Sequence, residues 1–144
     1  MIKLLFVRTS TLGSLLIRVL TLSAWSHVAV ALPDGSVIEA TAAHGVIRRS
    51  RAAFDAALPS QAMVPVLVPD EAAAARWLND QVGRPYDRSA LWGFLMPWRR
   101  WQDPAAWFCS ELAAAGLRAG GYPVPVDAWR ITPRGLRDLT RGTA

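Results

Sequence analysis

The stretch "SHVAVALPDGSVIEA", residues 26 to 40, constrains this chain more than any other part of it. Two largely apolar runs, Trp25 to Leu32 and Ser36 to Thr41, flank Pro33, Asp34 and Gly35. They read as the two strands of a hairpin. A two-residue loop at Asp34-Gly35 would set Pro33 opposite Ser36, in a pair that normally exchanges ladder hydrogen bonds. Proline has no N–H to give. A three-residue loop avoids this. Pro33 and Asp34 form a type I turn, and Gly35 takes the left-handed conformation as a bulge. Leu32 then faces Ser36, Ala31 faces Val37, and Ala29 faces Glu39.

The register has a chemical result. Alternation along the first strand groups His27 with Ala29 and Ala31. The three-residue loop puts Glu39 on that same face, one diagonal step from His27 at roughly 7–8 Å. The two-residue loop would turn Glu39 to the other face. A carboxylate so placed orients an imidazole, which is what a base in nucleophilic catalysis needs. A solvated strand-end acid is the other reading of Glu39. His27 reads either as a half-exposed strand residue or as a base over whose small neighbours another element packs. His44, beside Gly45, reads as a surface residue in a loop.

The single cysteine, Cys109, lies in "WFCSELAAAGLRAGG", residues 107 to 121. The pattern predicts a helix over Phe108 to Ala119, ended by Gly120-Gly121. Cys109 falls in its first turn, where unpaired N–H groups and the helix dipole favour a thiolate. Ala113, Ala114, Ala115 and Gly116 are small enough for a sheet to come close. Two readings stand: an inert core cysteine beside Phe108 and Leu112, or a nucleophile. One cysteine allows neither an internal disulfide nor a cysteine-based metal cluster.

Further elements follow from pattern. Met1 to Val7 reads as a strand, and Leu15 to Thr21 as strand or helix. Met63 to Val68 reads as a strand whose Pro65 suggests a sheet edge. Asp70 to Val82 reads as a helix with Ala73, Trp77, Leu78 and Val82 at helical spacing. "ITPRGLRDL" reads as a last strand turning into a short helix. Strands and helices are partly segregated, which predicts an α+β fold. With 144 residues, 52% of them apolar and 19% charged, the chain suits one domain, 1–144, around one core.

The net charge of +5 suits an anionic partner. The arginines are scattered, however, and Arg48-Arg49-Ser50-Arg51 and Arg99-Arg100 read as solvated loops. No helix-turn-helix, zinc knuckle or aromatic ribonucleoprotein motif accompanies them, so no specific nucleic-acid binding is expected. No run approaches the ~18 apolar residues of a membrane span. Leu4 to Val7 is too short for the apolar region of a signal peptide. A cytoplasmic or phage-associated protein is the default expectation.

Four segments together resemble a known family: "SHVAVALPDGSVIEATAAHGV", "QVGRPYD", "WFCSELAAAGLRAGG" and "ITPRGL". Their order, a histidine hairpin, an acid on its second strand and a late Cys-Ser-Glu-Leu helix, is similar to the circularly permuted papain-like hydrolases of the NlpC superfamily. These are the YaeF/YiiX group, with relatives among lecithin retinol acyltransferase-like enzymes. The resemblance implies a small antiparallel sheet packed against a helix with the cysteine at its N-terminus. It implies Cys109 as nucleophile, His27 as general base and Glu39 as the orienting residue, with the Cys109 N–H in an oxyanion hole. Tyr86, in "GRPY", lines the site or serves as a core aromatic. Trp107 and Ser110 are the other candidate substrate contacts, while Glu111 supports the helix start.

The function implied is a thiol hydrolase or acyltransferase acting on an amide or ester in a cell-wall peptide or lipid-type substrate. It needs no metal or organic cofactor, and no metal-ligand spacing is visible. The tryptophan-rich segment 92–107 reads as an apolar rim, a partner surface or core. A catalytically inactive binding or structural protein on the same fold is the alternative.

Overall fold

The hairpin adopts the three-residue register. In a computed structural model that describes residues 1–9, 18–19, 22–58, 61–87, 106–125 and 131–141, Ala31 pairs with Val37 and Val30 with Ile38. Gly35 has φ +82°, its N–H donates to the carbonyl of Leu32 at 3.1 Å, and Leu32 donates to Ser36 at 2.8 Å. The Asp34 carboxylate accepts from the N–H of Ser36 at 2.9 Å and from its hydroxyl at 2.6 Å, which closes the turn.

The hairpin is the middle of an antiparallel five-stranded sheet. Its strands are β1 (Ile2–Val7), β2 (His27–Ala31), β3 (Ser36–Thr41), β4 (Gly45–Ser50) and β5 (Gln61–Val66), in the order β4-β3-β2-β1-β5. Pro65 lies on β5, an edge strand, as expected. Among the described residues there are four named helices: α1 (Arg51–Ala57), α2 (Glu71–Asp80), α3 (Cys109–Ala119) and α4 (Pro133–Arg141). The fold is α+β. None of these helices is long and apolar enough to cross a membrane. Most of the expected element at Leu15 to Thr21 and most of the tryptophan-rich segment lie outside the described residues.

Each helix start has a local cause. Asp70 caps α2 by accepting the N–H of Ala73 at 2.8 Å, and Ser50 caps α1 through Ala53 at 3.2 Å. Thr132 accepts the N–H of Gly135 at 3.0 Å, and Pro133 takes the first position of α4, where its missing N–H costs nothing. Among the described residues the expected final strand is absent: Ile131 and Thr132 lead into α4. The face that α2 buries is also displaced from the expected one. Ala74 and Leu78 are buried and Trp77 is half-buried, while Val82, past the helix end, is 42% exposed.

Strand β4 and helix α1 replace the expected loop at Arg48 to Arg51. Their apolar signal is thin, because only Val46 and Phe54 are large buried residues there. Arginines fill the rest. The Arg49 guanidinium lies 5.0 Å from the centre of the Phe54 ring, and Arg48 bonds to Asp34 at 2.7 Å and Asn79 at 3.0 Å. Long charged side chains that cover apolar surface hide a strand's alternation.

The sheet buries both faces. On one, Leu4, Phe6, Val28, Val30 and Ile38 pack with residues of α2, α3 and α4. On the other, Leu5, Val7, Ala29, Ala31 and Val37 pack under Phe54 of α1. The room over Ala29 and Ala31 is thus taken by α1, whereas the cysteine helix packs on the opposite face. The small residues of α3 serve a second contact. A side chain at Gly116 would meet Leu78 of α2 at 2.7 Å, so the glycine lets the two helices approach.

The cysteine end of α3 is tied to the sheet through residues 83–87. Val46 donates to the Arg84 carbonyl at 2.8 Å and Gly83 to the Val46 carbonyl at 2.9 Å. Tyr86 then bridges to Trp107, with Trp107 donating to Pro85 at 3.0 Å and Asp87 to Trp107 at 3.1 Å. Gly45, at φ +71°, permits this tie, because a side chain there would collide with the Arg84 carbonyl oxygen. Gly35→Ala, with open space around it, is expected to cost only its left-handed backbone, about 1 kcal/mol. Gly45→Ala is expected to cost at least about twice as much. Urea unfolding of both variants measures this, and equal losses would contradict the anchoring role of Gly45.

Candidate active site

Three side chains from three elements meet at one end of the sheet. His27 is the first residue of β2, Glu39 the fourth of β3, and Cys109 the first of α3. The hairpin register brings the first two together, and Nε2 of His27 lies 2.6 Å from Oε2 of Glu39. The Cys109 thiol is close enough to the imidazole to raise its affinity for a proton. With Nε2 held by the carboxylate, Nδ1 is the nitrogen left for sulfur. Since α3 packs on the face opposite His27, the cysteine reaches the histidine around the start of β2 and does not lie over the strand.

Glu39 is the pivot. Its side chain is fully buried, and a lone carboxylate in such a place would be strongly disfavoured. It has two cationic partners. One oxygen faces His27, and the other forms an ion pair with the Arg49 guanidinium. Arg49 sits on β4 opposite Val37, so the three groups run diagonally across β2, β3 and β4. Burial pushes the Glu39 carboxyl up; the hydrogen bond and charge of His27 and the charge of Arg49 outweigh it and hold the group below the usual carboxylate range. Burial likewise pushes the His27 imidazole down. Hydrogen bonding with Cys109 and Glu39, and the charges of both, raise it instead from 6.5 to about 9.

The thiol and the imidazole differ in solvent access. Cys109 is 2% exposed and belongs to the core with Phe108, Leu112 and Ala113, while the His27 side chain is 18% exposed. The helix start gives Cys109 one further asset. Phe108 is the N-cap and has no side-chain acceptor, so only the return half of a capping box forms, with Glu111 Oε2 accepting the Phe108 N–H at 3.3 Å. The Cys109 N–H has no acceptor among the described residues. The first N–H groups of a helix have no acceptor within it, and a group of this kind can donate to an oxyanion.

The other candidate contacts are placed differently. Tyr86 is half-buried, its ring centre 5.9 Å from that of Phe108, the residue before the cysteine. Trp107 packs edge-on against Trp77 at 5.3 Å and donates from Nε1 to Gln81 at 3.1 Å, which is a packing role. Ser110 is fully buried, and its hydroxyl donates to the Ile131 carbonyl at 2.5 Å. It anchors the approach to α4 and presents nothing to solvent. His44 is exposed, in the turn between β3 and β4, where its N–H donates to the Thr41 hydroxyl at 3.2 Å. Arg49 was not foreseen as a site residue. Its signal was its place two residues beyond Ile47, the partner of Glu39, which is legible only once β4 is known to be a strand.

Among the described residues, no group of three or more histidine, cysteine, aspartate or glutamate side chains is arranged to hold a metal ion. Comparison of the chain with protein-family models, curated proteins and solved structures found no match in any of the three.

The raised His27 value sets a direction for stability. The folded chain binds the imidazole proton more tightly than the unfolded chain does. The stabilisation is complete below about pH 6.5 and is lost as pH rises through about 9. The advantage of wild type over His27→Gln in urea unfolding is therefore expected to shrink between those limits. An NMR titration of His27 is expected to show a midpoint near 9, falling in Glu39→Gln; a wild-type midpoint at the ordinary histidine value would contradict the pairing.

Proposed function

We propose that this chain is a cysteine-dependent hydrolase or acyltransferase acting on an amide or ester bond, with the circularly permuted papain-like arrangement of the NlpC superfamily. The observation that carries the reading is the position of His27 between a buried carboxylate and a thiol at a helix start. A nucleophile, a base and a group that orients the base are the minimum for thiol acyl transfer. The antiparallel sheet and the cysteine at the first position of α3 support the fold part of the reading.

The Cys109 proton rests on Nδ1 of His27, whose affinity for a proton is raised, and the imidazolium is held by Glu39, itself held by Arg49. The thiolate attacks the carbonyl carbon, and the Cys109 N–H donates to the resulting oxyanion. As the tetrahedral species collapses, His27 gives its proton to the departing amine or alcohol, and a thioester remains on Cys109. Water, or another acceptor hydroxyl or amine, gives a proton to His27 and attacks the thioester. The Cys109 thiolate leaves as the second tetrahedral species collapses, and the proton on His27 restores the starting pair. Substrate classes that suit a basic protein are short peptides of anionic cell-wall material and amides or esters of anionic lipids.

The burial of Cys109 favours a second reading, a non-catalytic scaffold whose cysteine is a core residue. Incubation with p-nitrophenyl acetate, followed by acid quench and mass spectrometry, separates the two. The catalytic reading expects an acetyl group on Cys109, absent in Cys109→Ala. It also expects acetylation to slow by about 100-fold or more in His27→Ala. No adduct, or acetylation unaffected by loss of His27, would favour the scaffold.

A further inference from the structure

A groove of about 380 Å³ lies between the β3–β4 turn, residues 42–45, and the 83–86 segment. That volume suits a ligand of a few residues or a headgroup. It is built, not incidental. The Gly45 backbone and the paired bonds between Val46 and residues 83–84 fix its two walls. It is also next to the candidate active site. Carried on from Val30–Ile38 and Ala31–Val37, the hairpin register puts Thr41, which enters the turn, opposite His27. The far wall ends at Tyr86, whose ring packs against Phe108.

The lining has one sign of charge. It includes Arg84 and His44 and no acidic residue, and among the described residues Arg84 forms no ion pair. The other walls are alanine, glycine, proline and the Tyr86 ring. A cation and an imidazole in an otherwise small, neutral groove recognise an anionic group.

We propose that the groove between residues 42–45 and 83–86 binds the anionic end, carboxylate or phosphate, of the substrate whose carbonyl Cys109 attacks. The inference rests on the acyl-transfer reading for the word substrate, but the binding itself does not require an active thiol. Arg84 supplies the charged donor, His44 a second donor, and Tyr86 the apolar side that leads toward Phe108 and the cysteine.

The test is NMR titration of the full chain, following the His44 imidazole. The probes are acetyl-alanyl-alanine with a free carboxylate, its C-terminal amide, and phenyl phosphate. The free acid or the phosphate is expected to shift His44 saturably, with the amide about tenfold weaker or more, since one charge-assisted bond is lost. Arg84→Gln is expected to weaken the anion about tenfold as well. The backbone carbonyl, not the side chain, makes the structural bond of Arg84, so the variant should fold. Stronger binding of the peptide acid would assign the groove to a peptide end, and of the phosphate to a headgroup. Cys109→Ala should bind the anion as wild type does, so an inactive thiol with an intact titration would sink only the catalytic reading. No shift of His44 with either anion, or equal binding of acid and amide, would overturn the groove assignment even if Cys109 proved reactive.

Discussion

The buried ion pair of Glu39 is the interaction on which the site depends. A carboxylate with no solvent exposure persists in its charged form only with full compensation, and here two cations on neighbouring strands supply it. One of them is the imidazole that meets Cys109. The same contact therefore stabilises the centre of the sheet and fixes the orientation of the ring. Removing Glu39 would leave Arg49 without its partner under α1 and His27 free to turn, so fold and site are not separable at this position.

That contact follows from a turn. Because Pro33 cannot donate, the hairpin closes with three residues, and Glu39 comes onto the His27 face. This much was legible in the sequence, since turn chemistry acts locally and the period of a strand is two. The helix over Cys109 to Ala119 and its glycine end were legible for the same reason. What was not legible is longer in range. Strand β4 and helix α1 are held by arginines that lie flat on apolar surface, so no alternation of apolar and polar residues marks them. The face that α3 covers depends on how α1 returns over Ala29 and Ala31, and no local pattern encodes that return.

The arrangement that results is asymmetric. Cys109 is packed from the core side, with Leu112, Ala113 and Phe108, while the His27 side chain keeps partial exposure. A thiol so placed has almost no contact with solvent. The short ties from Gly45 through Arg84 and Tyr86 to Trp107 hold the helix start in register with the strand end. In a core of this density, displacement of either by a small distance would separate sulfur from nitrogen.

The central claim is that His27 and Cys109 act as one reactive pair. The pH dependence of iodoacetamide alkylation tests it most directly, in wild type and in His27→Ala, because the chain has one cysteine and the signal has one source. The account expects alkylation that stays fast well below pH 8 and loses this behaviour in the variant. Alkylation that is slow, or that rises with pH as an ordinary thiol does whether or not His27 is present, would contradict it.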